Sequence, residues 1–226
     1  MKKPKFFVIE NVQGILEDKH KQSLAFIISS LQSIGYSIKY ELLNAVDYKI
    51  PQDRFRVFFV GIRNDLQNTF VFPNAMPGKK VTLREAIGDI IEKPRFFNEE
   101  RVMSEHSTRK NHDVYTGSYD AKYMARNRVR SWNEQSFTIQ AQARNEPQHP
   151  QAPKMTYVNP NVRIFAKGYE HLYRRLSVRE CARIQTFPDS FVFFYTDIKD
   201  GYKMVGNAVP PRLAYALAVQ VRKALL

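Results

Sequence analysis

The chain has 226 residues, of which 43% are hydrophobic, so it is long enough for one large domain or two small ones with their own cores. It contains no run of about 18 apolar residues and no apolar stretch of signal-peptide length near its start, so neither a membrane span nor a secretory signal is expected. The net charge of +13 favours a polyanionic partner, with nucleic acid first among them, and a merely basic soluble protein is the alternative.

The first 65 residues have the pattern of an α/β unit. A strand is predicted at residues 6–9, a helix at residues 19–33 that Gly35 closes, and a second strand at residues 37–43. Residues 55–62 are apolar nearly throughout, which is typical of a strand covered on both faces and indicates part of a parallel sheet. Three strands make a poor doubly wound sheet, so we expect further strands that normally precede this stretch.

The middle of the chain has a different sequence pattern. Prolines separate short periodic pieces, and aromatic residues alternate with basic ones. Residues 70–175 hold 18 Lys and Arg against 11 Asp and Glu, which is about half of the net surplus. This predicts an irregular second domain at residues 70–175, between an α/β part at 1–69 and a return to that part at 176–226. Ser177 begins a capping box, and residues 211–226 are predicted to form a terminal helix.

Two groups of polar residues adjoin the predicted strands. Glu10 stands where the first strand ends, and the carboxyl ends of strands are where open α/β sheets bind ligands; a helix-capping or solvated acid is the alternative. Gln52, Arg54 and Arg56 alternate into a buried strand and therefore share one face. Two arginines on one face need anions or carbonyls nearby, unless they are snorkelling side chains of a basic edge strand.

Four motifs resemble those of the cytosine-5 DNA methyltransferases. Residues 7–12 contain their Glu-Asn-Val motif, residues 52–56 their Gln-x-Arg-x-Arg motif, residues 175–188 their penultimate motif and residues 206–210 their last. The motifs follow the family's order across nearly the whole chain. The resemblance implies an α/β fold, namely the C-terminal part of a Rossmann-like S-adenosylmethionine-dependent methyltransferase domain, with residues 70–175 as a small irregular target-recognition domain.

The resemblance also implies a role for each motif residue. The target cytosine is flipped out of the duplex, because its ring atoms cannot be reached inside the stack. Glu10 would then bind its N3 and exocyclic amino edge and Arg56 its O2, with Arg54 and Gln52 as supports. The methyl donor would be S-adenosylmethionine.

The last two motifs are assigned a cofactor border and a structural helix. Asn207 and Ala208, in a tight turn permitted by Gly206, resemble residues that border the S-adenosylmethionine pocket. The helix charges of the penultimate motif are predicted to pin the small domain to the sheet; they belong to Arg179, Glu180 and Arg183. The only cysteine, Cys181, lies inside this helix and is expected to be structural. A single cysteine forms no internal disulfide and fits a reducing compartment, so the cytoplasm is expected and no metal site is predicted.

Residues 122–144 carry five basic residues against one acid and are predicted to contact DNA. The predicted contact residues are Arg126, Asn127, Arg128, Arg130, Gln142 and Arg144. Arginine pairs bidentately with guanine, although generic phosphate binding is open for each one. Residues 124–134, 149–153 and 171–175 are similar to bacterial restriction-modification methyltransferases that modify GGCC. This implies a GGCC-containing duplex, with Arg126, Arg128 and Arg144 as the leading guanine readers.

The sequence departs from the family in one respect. A glycine-rich S-adenosylmethionine loop and a Pro-Cys nucleophile loop are not found in these 226 residues, so we expect the isolated chain to be inactive. It would be one half of a split enzyme with a partner over its strand edges, a truncated copy, or a fragment of a longer protein. The rival interpretations are a sequence-specific DNA-binding module without catalysis and a related RNA methyltransferase.

Overall fold

The structure, a computed structural model, describes residues 3–97 and 109–226. Its strands are β1 (Phe6–Val12), β2 (Tyr36–Asn44), β3 (Phe55–Arg63), β4 (Arg95–Phe97), β5 (Asp113–Tyr115), β6 (Thr156–Asn159) and β7 (Val162–Ile164). Its helices are α1 (Lys21–Ser33), α2 (Leu83–Ile87), α3 (Ala121–Met124), α4 (Val178–Ile184), α5 (Ile198–Asn207) and α6 (Pro211–Leu225). Within the two described ranges, no helix combines the length and apolar character needed to cross a bilayer.

The main sheet has the order β1-β3-β2, and β3 runs antiparallel to both neighbours. The prediction of a parallel sheet is therefore wrong for these strands. Burial on both faces was predicted correctly, since residues 57–62 are all buried, but burial marks a central strand without encoding its direction. Residues 45–54 form a short link between β2 and β3. This length favours an antiparallel pair, because a parallel crossover needs about a dozen residues or more.

A tight approach between β1 and β3 explains one glycine. Phe7 pairs opposite Gly61 in the register, and a Cβ on Gly61 would lie 2.3 Å from the ring of Phe7. The ring fills that space and meets Tyr36 edge-on, with 5.0 Å between the ring centroids. Any side chain at position 61 would therefore push β1 away from the central strand.

The sheet has a hydrophobic core against α6. An apolar stripe of the helix, repeated every four residues, packs on alternate residues of β3, as the periods of helix and strand require. The stripe consists of Leu213, Leu217 and Val221, and the strand residues are Phe58, Val60 and Ile62. Each fully buried aliphatic side chain contributes about 1.5–3 kcal/mol, so this contact is what fixes the terminal helix on the sheet.

A second core lies outside the sheet. It joins α4 and α5 to the irregular middle of the chain through Leu83, Ile87, Tyr115, Ile139, Val178, Cys181, Tyr202 and Val205, among others. The predicted capping box is present, since the Ser177 side chain accepts from the backbone N–H of Glu180 and the Glu180 carboxylate from that of Ser177. Helix α5 was not predicted, although the N-capping side chain of Asp197 was available as a signal.

The charges of α4 contact the irregular region of residues 70–175 and the segment that follows the helix, and not the described strands of the sheet, so the predicted pinning to the sheet is wrong. Arg179 donates to the side chain of Asn111 at 3.1 Å and to the carbonyl of Phe191 at 2.8 Å. Arg183 donates through Nε to Asp189 at 2.8 Å. Helical spacing shows which charges share a face, but it does not show what lies opposite that face.

A buried ion pair anchors the start of α4. Glu180 is fully buried and accepts two hydrogen bonds from the guanidinium of Arg174, each 2.7 Å long. The Nε2 atom of His149 lies 3.6 Å from the same carboxylate. Burial still lowers the pKa of His149 to about 4, because the loss of hydration of a charged ring outweighs the attraction of Glu180.

This network predicts acid lability. The folded pKa of His149, about 4, lies below its ordinary value of 6.5, so the unfolded chain binds the extra proton first and stability falls as the pH drops through that window. Between about pH 7 and about pH 5 we expect a loss of about 2 kcal/mol from this residue. Urea unfolding of the His149→Gln variant should show a correspondingly weaker pH dependence.

The matched control is His171→Gln, because His171 is exposed. This variant should keep the pH dependence of the unaltered chain. If His149→Gln also kept it, the neutral buried histidine would not be the source of the acid lability.

Candidate functional site

Glu10 and Arg56 form an ion pair near the end of β1. Val12 pairs with Arg56 and Glu10 pairs with Phe58, so the two charged side chains are diagonal neighbours on one face of the sheet. Arg56 Nε lies 2.7 Å from Glu10 Oε1, and the side chains are 17% and 27% exposed. Glu10 Oε1 accepts no aligned hydrogen bond from the described residues. The carboxylate is therefore neutralised by the guanidinium at the buried Oε1 atom, and the remaining exposure of the side chain leaves room for a ligand at its other oxygen.

Arg54 is buried directly beside this pair. Its guanidinium donates to the carbonyls of Ile139 at 3.2 Å, Gly206 at 2.9 Å and Ala208 at 3.4 Å. Burial, followed by repulsion from Arg56, lowers the pKa of Arg54 to about 10, so the side chain still carries its charge at neutral pH. The side chain of Arg54 thus connects the start of β3 to the segment around Ile139 and to the end of α5.

Gln52 is fully buried, and its side-chain oxygen accepts from the N–H of Ile139 at 2.9 Å. The neighbouring backbone also pairs with Ser136, through Asp53 N–H to the Ser136 carbonyl at 2.9 Å. Residues 136–140 were not predicted to belong to this site. They contribute mostly backbone atoms, so their residue types carry no signal for the contact.

The last motif is placed differently from the prediction. Gly206 and Asn207 are the final residues of α5, and Gly206 has no positive φ, so it does not permit a tight turn. A Cβ on Gly206 would instead lie 2.0 Å from the carbonyl oxygen of Gln140. Glycine is therefore required for the close approach of two backbones. Asn207 is exposed, and Ala208 is half-buried.

An apolar groove of about 490 Å³ runs from this site along β1 and α6. Glu10 and Val209 lie on it together with Phe6, Phe58 and Leu217. The exposed amide of Asn207 and the backbone of Ala208 are suited to the border of a nucleoside pocket, but these residues do not supply a full set of donors for one. Within residues 3–97 and 109–226 there is no cluster of three or more His, Cys, Asp or Glu side chains that could hold a metal ion.

Arg126 and Arg128 are accessible residues of the arginine-rich segment, residues 122–144. Arg126 is exposed, and Arg128 is half-buried. Arg128 donates through Nε to the carbonyl of Tyr123 at 3.1 Å, and its guanidinium lies 4.7 Å from the centroid of that ring. Burial lowers the pKa of Arg128. This anchoring leaves the outer edge with its two terminal nitrogens available for a bidentate contact.

Asn127 and Arg130 are already engaged by the protein. The Asn127 amide donates to the carbonyl of Val129 at 2.7 Å and accepts from the N–H of Met155 at 3.0 Å. Arg130 lies 3.3 Å from the carboxylate of Asp53 and 4.3 Å from the centroid of the Phe137 ring. These two side chains therefore hold the segment in place, and Asp53 links it to the residues around Arg54.

Gln142 and Arg144 are exposed and follow the buried residues Ser136 and Ile139. The Gln142 side-chain oxygen accepts from the Asn145 amide at 2.9 Å. Both residues flank Ala143, which is buried in the second core and so fixes their backbone.

Cys181 is fully buried, and its thiol lies within hydrogen-bond reach of a carboxylate oxygen of Glu146 at 3.7 Å. Burial raises the pKa of Cys181 well above its usual value, and it also raises that of Glu146. A buried thiol held in its protonated form has no access to a substrate and is not a nucleophile.

Comparison with known proteins gives a consistent result. The sequence profile of the C-5 cytosine-specific DNA methylases matches residues 1–223. The chain is 51% identical to the Type II methyltransferase M.MthTI of Methanothermobacter thermautotrophicus, over 99% of this chain and 68% of the relative. It is 42% identical to the Type II methyltransferase M.NgoPII of Neisseria gonorrhoeae, over 99% of this chain and 66% of the relative. The chain thus spans about two thirds of the length of these relatives.

Solved structures show the same fold. A prophage-encoded E. coli protein described as a DNA modification methyltransferase matches with a TM-score of 0.69 at 20% identity, over 98% of this chain and 70% of that one. The Entamoeba histolytica methyltransferase EhMeth matches with a TM-score of 0.60 at 15% identity, over 97% of this chain and 62% of that one. At these identities the likeness supports the fold alone.

The contacts of Arg54 predict a large loss of stability on its removal. The Arg54→Leu variant leaves the carbonyls of Ile139 and Gly206 without their buried donor, so we expect a destabilisation of about 3–5 kcal/mol in urea unfolding. Arg126→Leu is the control, because Arg126 is exposed, and it should change stability by about 0.5 kcal/mol or less. Equal effects of the two changes would contradict the anchoring role of Arg54.

Proposed function

The chain belongs to the C-5 cytosine-specific DNA methylase family, and on that premise we propose that it holds the target cytosine and reads the surrounding bases in a DNA cytosine-5 methyltransferase of a restriction-modification system. The observation that carries the proposal is the 2.7 Å ion pair between Glu10 and Arg56. Cytosine presents O2, N3 and an exocyclic amino group along one edge. An adjacent guanidinium and carboxylate offer a donor and an acceptor to that edge.

Each of the three charged residues has a distinct part in this proposal. Glu10 accepts from the exocyclic amino group and faces N3, where it can share a proton as charge develops on the ring. Arg56 donates to O2. Arg54 does not touch the base, because its guanidinium is committed to backbone carbonyls, and it positions the start of β3. S-adenosylmethionine, when bound, supplies the methyl group, with Asn207 and Ala208 at the border of its pocket.

The attacking thiolate of the family is assigned to residues outside these 226, because Cys181 is buried and protonated. Two features support packing of a further segment beside Glu10. The strand β1 exposes Phe6, Val8 and Ile9, each between 39% and 41%, and the apolar groove opens next to them. Exposed apolar strand edges are otherwise an aggregation hazard.

We further propose that the target is a GGCC-containing duplex. The support is the resemblance of residues 124–134 to GGCC-modifying enzymes, together with the exposure of Arg126 and Arg144 and the free outer edge of Arg128. Arginine is the side chain best suited to guanine in the major groove. Asn127 and Arg130 are proposed to hold the reading residues, since their own contacts are made within the protein.

A second candidate function is a DNA-binding module without catalysis. It is favoured by the second core, because the packing of that core holds the arginine-rich segment in place and does not involve a cofactor. Labelled methyl transfer distinguishes the two functions, because only an enzyme gains that activity when a segment with the glycine-rich loop and the Pro-Cys loop is supplied.

The enzymatic proposal predicts that activity appears on complementation. The chain mixed with a separately made N-terminal segment of a relative should transfer labelled methyl groups to GGCC DNA. In that mixture Glu10→Gln should lower the rate by about 100-fold or more, because it removes the group that stabilises charge on the ring, while leaving duplex affinity unchanged.

Glu41→Gln is the matched control, since Glu41 is exposed on β2 and should not affect the rate. Full activity of Glu10→Gln would refute its role at the base. Binding of GGCC duplex without any methyl transfer after complementation would favour the non-catalytic module.

The assignment of Arg128 as a guanine reader predicts a sequence-selective loss. Arg128→Ala should weaken binding to the GGCC duplex by about 1–3 kcal/mol and leave binding to a scrambled duplex nearly unchanged, as measured by fluorescence anisotropy. Lys122→Ala, a change at an exposed neighbour, should weaken both duplexes equally and slightly. If Arg128→Ala behaved like Lys122→Ala, Arg128 would be a phosphate contact.

A further inference from the structure

The hairpin of β6 and β7 projects from the irregular region. Every residue of β6 is exposed, and none of β7 is buried. Its turn is built by Pro160, which presets one backbone angle, and by Asn159, whose side chain accepts from the N–H of Asn161 at 3.0 Å. A two-stranded hairpin without a covered face is marginally stable in water, so its rigidity must come from its base.

The base of the hairpin is clamped by Tyr173. The hydroxyl of this residue donates to the carbonyl of Lys154, just before β6, at 3.4 Å and accepts from the N–H of Ala166, just after β7, at 3.1 Å. The rings of Phe165 and Tyr173 stack with 4.2 Å between their centroids. Both ends of the hairpin are therefore fixed by one side chain.

The same base is joined to the arginine-rich segment. Asn127 accepts from the N–H of Met155, which is buried beside Val129. A row of aromatic contacts makes a second connection. It runs from Phe165 to Tyr119 at 5.5 Å, from Tyr119 to Tyr123 at 5.1 Å and from Tyr123 to Arg128 at 4.7 Å. The hairpin and Arg128 thus stand on one rigid scaffold.

The charge of this part of the chain has a single sign. Residues 147–169 contain Lys154, Arg163 and Lys167 and no Asp or Glu. Tyr157 and Arg163 form a cross-strand pair, and the guanidinium lies 5.0 Å from the centroid of the ring. Within residues 3–97 and 109–226, none of these three basic side chains forms an ion pair with a carboxylate. Arg163 lies on β7, and Lys154 and Lys167 lie at the two ends of the hairpin. The hairpin and its ends therefore carry positive charge beside the exposed ring of Tyr157.

We propose that the hairpin is a second DNA-contacting element, which binds the phosphates of the duplex beside the target site while Arg126 and Arg128 read bases. This inference rests on the proposed function, in that the ligand is the same duplex. Lysine and arginine side chains on phosphates supply affinity and register without sequence information, and a two-stranded ribbon has the dimensions to follow a groove. The scaffold shared with Arg128 lets such contacts fix the position of the reading residues.

The test compares two triple variants of equal charge. Lys154→Gln, Arg163→Gln and Lys167→Gln are combined in one protein, and Lys19→Gln, Lys21→Gln and Lys39→Gln, all exposed and distant in sequence, are combined in the other. Binding to a GGCC duplex and to a scrambled duplex is measured by anisotropy between about 50 and 200 mM salt.

The hairpin variant should lose affinity for both duplexes, and its slope of log K against log salt should fall by about 0.9 for each phosphate contact removed. The ratio of GGCC to scrambled affinity should stay unchanged. The control variant should retain the slope of the unaltered chain. The unaltered chain should also bind more weakly to a duplex trimmed to the site, and the hairpin variant should lose this dependence on length.

Equal slopes for the two triple variants would overturn the proposal, and so would a length dependence that persists in the hairpin variant. If the unaltered chain still preferred GGCC in that case, the proposed GGCC target would stand and only the hairpin's role would fall. Failure of the unaltered chain to bind either duplex would overturn both.

Discussion

A single buried guanidinium holds the parts of the candidate site together. Removing Arg54 from water is costly, and the cost is offset only while Ile139, Gly206 and Ala208 all present their carbonyls to it. These carbonyls belong to segments that are far apart in sequence. The ion pair of Glu10 and Arg56 lies beside this junction, so the geometry of the pair depends on the sheet, the second core and the end of α5 all being in place at once.

The same principle decides which polar side chains of residues 122–144 remain accessible to a ligand. Buried polar groups must be satisfied, and several residues that have the composition of a base-reading surface meet that need within the protein. Asn127 bonds two backbone groups, and Arg130 sits between Asp53 and Phe137. Arg126 and the outer edge of Arg128 remain accessible, and the Nε atom of Arg128 is held by the carbonyl of Tyr123.

Hydrophobic periodicity and capping signals are local, so the sequence was sufficient to predict the three strands of the main sheet and helices α1, α4 and α6. It did not predict the short strands β4 to β7 or helices α2, α3 and α5. The direction of β3 was missed because it depends on the length of a connection, which the apolar pattern does not report. The role of Gly206 was also misassigned. Its requirement arises from the backbone of Gln140, which is remote in sequence and contributes no side-chain signal. The participation of residues 136–140 was invisible for the same reason.

Residues 122–144 and the Glu10–Arg56 pair are connected through Asp53 and the start of β3, and the magnitudes show which contacts make that connection rigid. The ion pair of Arg130 with Asp53 spans 3.3 Å between side chains that are 30% and 40% exposed, and such pairs contribute about 1 kcal/mol or less. The backbone of Asp53 is held more firmly, since its N–H donates to Ser136 at 2.9 Å and its carbonyl accepts from the hydroxyl of Thr138 at 2.6 Å. The backbone pairing therefore sets the distance between the Glu10–Arg56 pair and the arginine-rich segment, and the side chain of Arg130 adds a weaker constraint on the orientation of that segment.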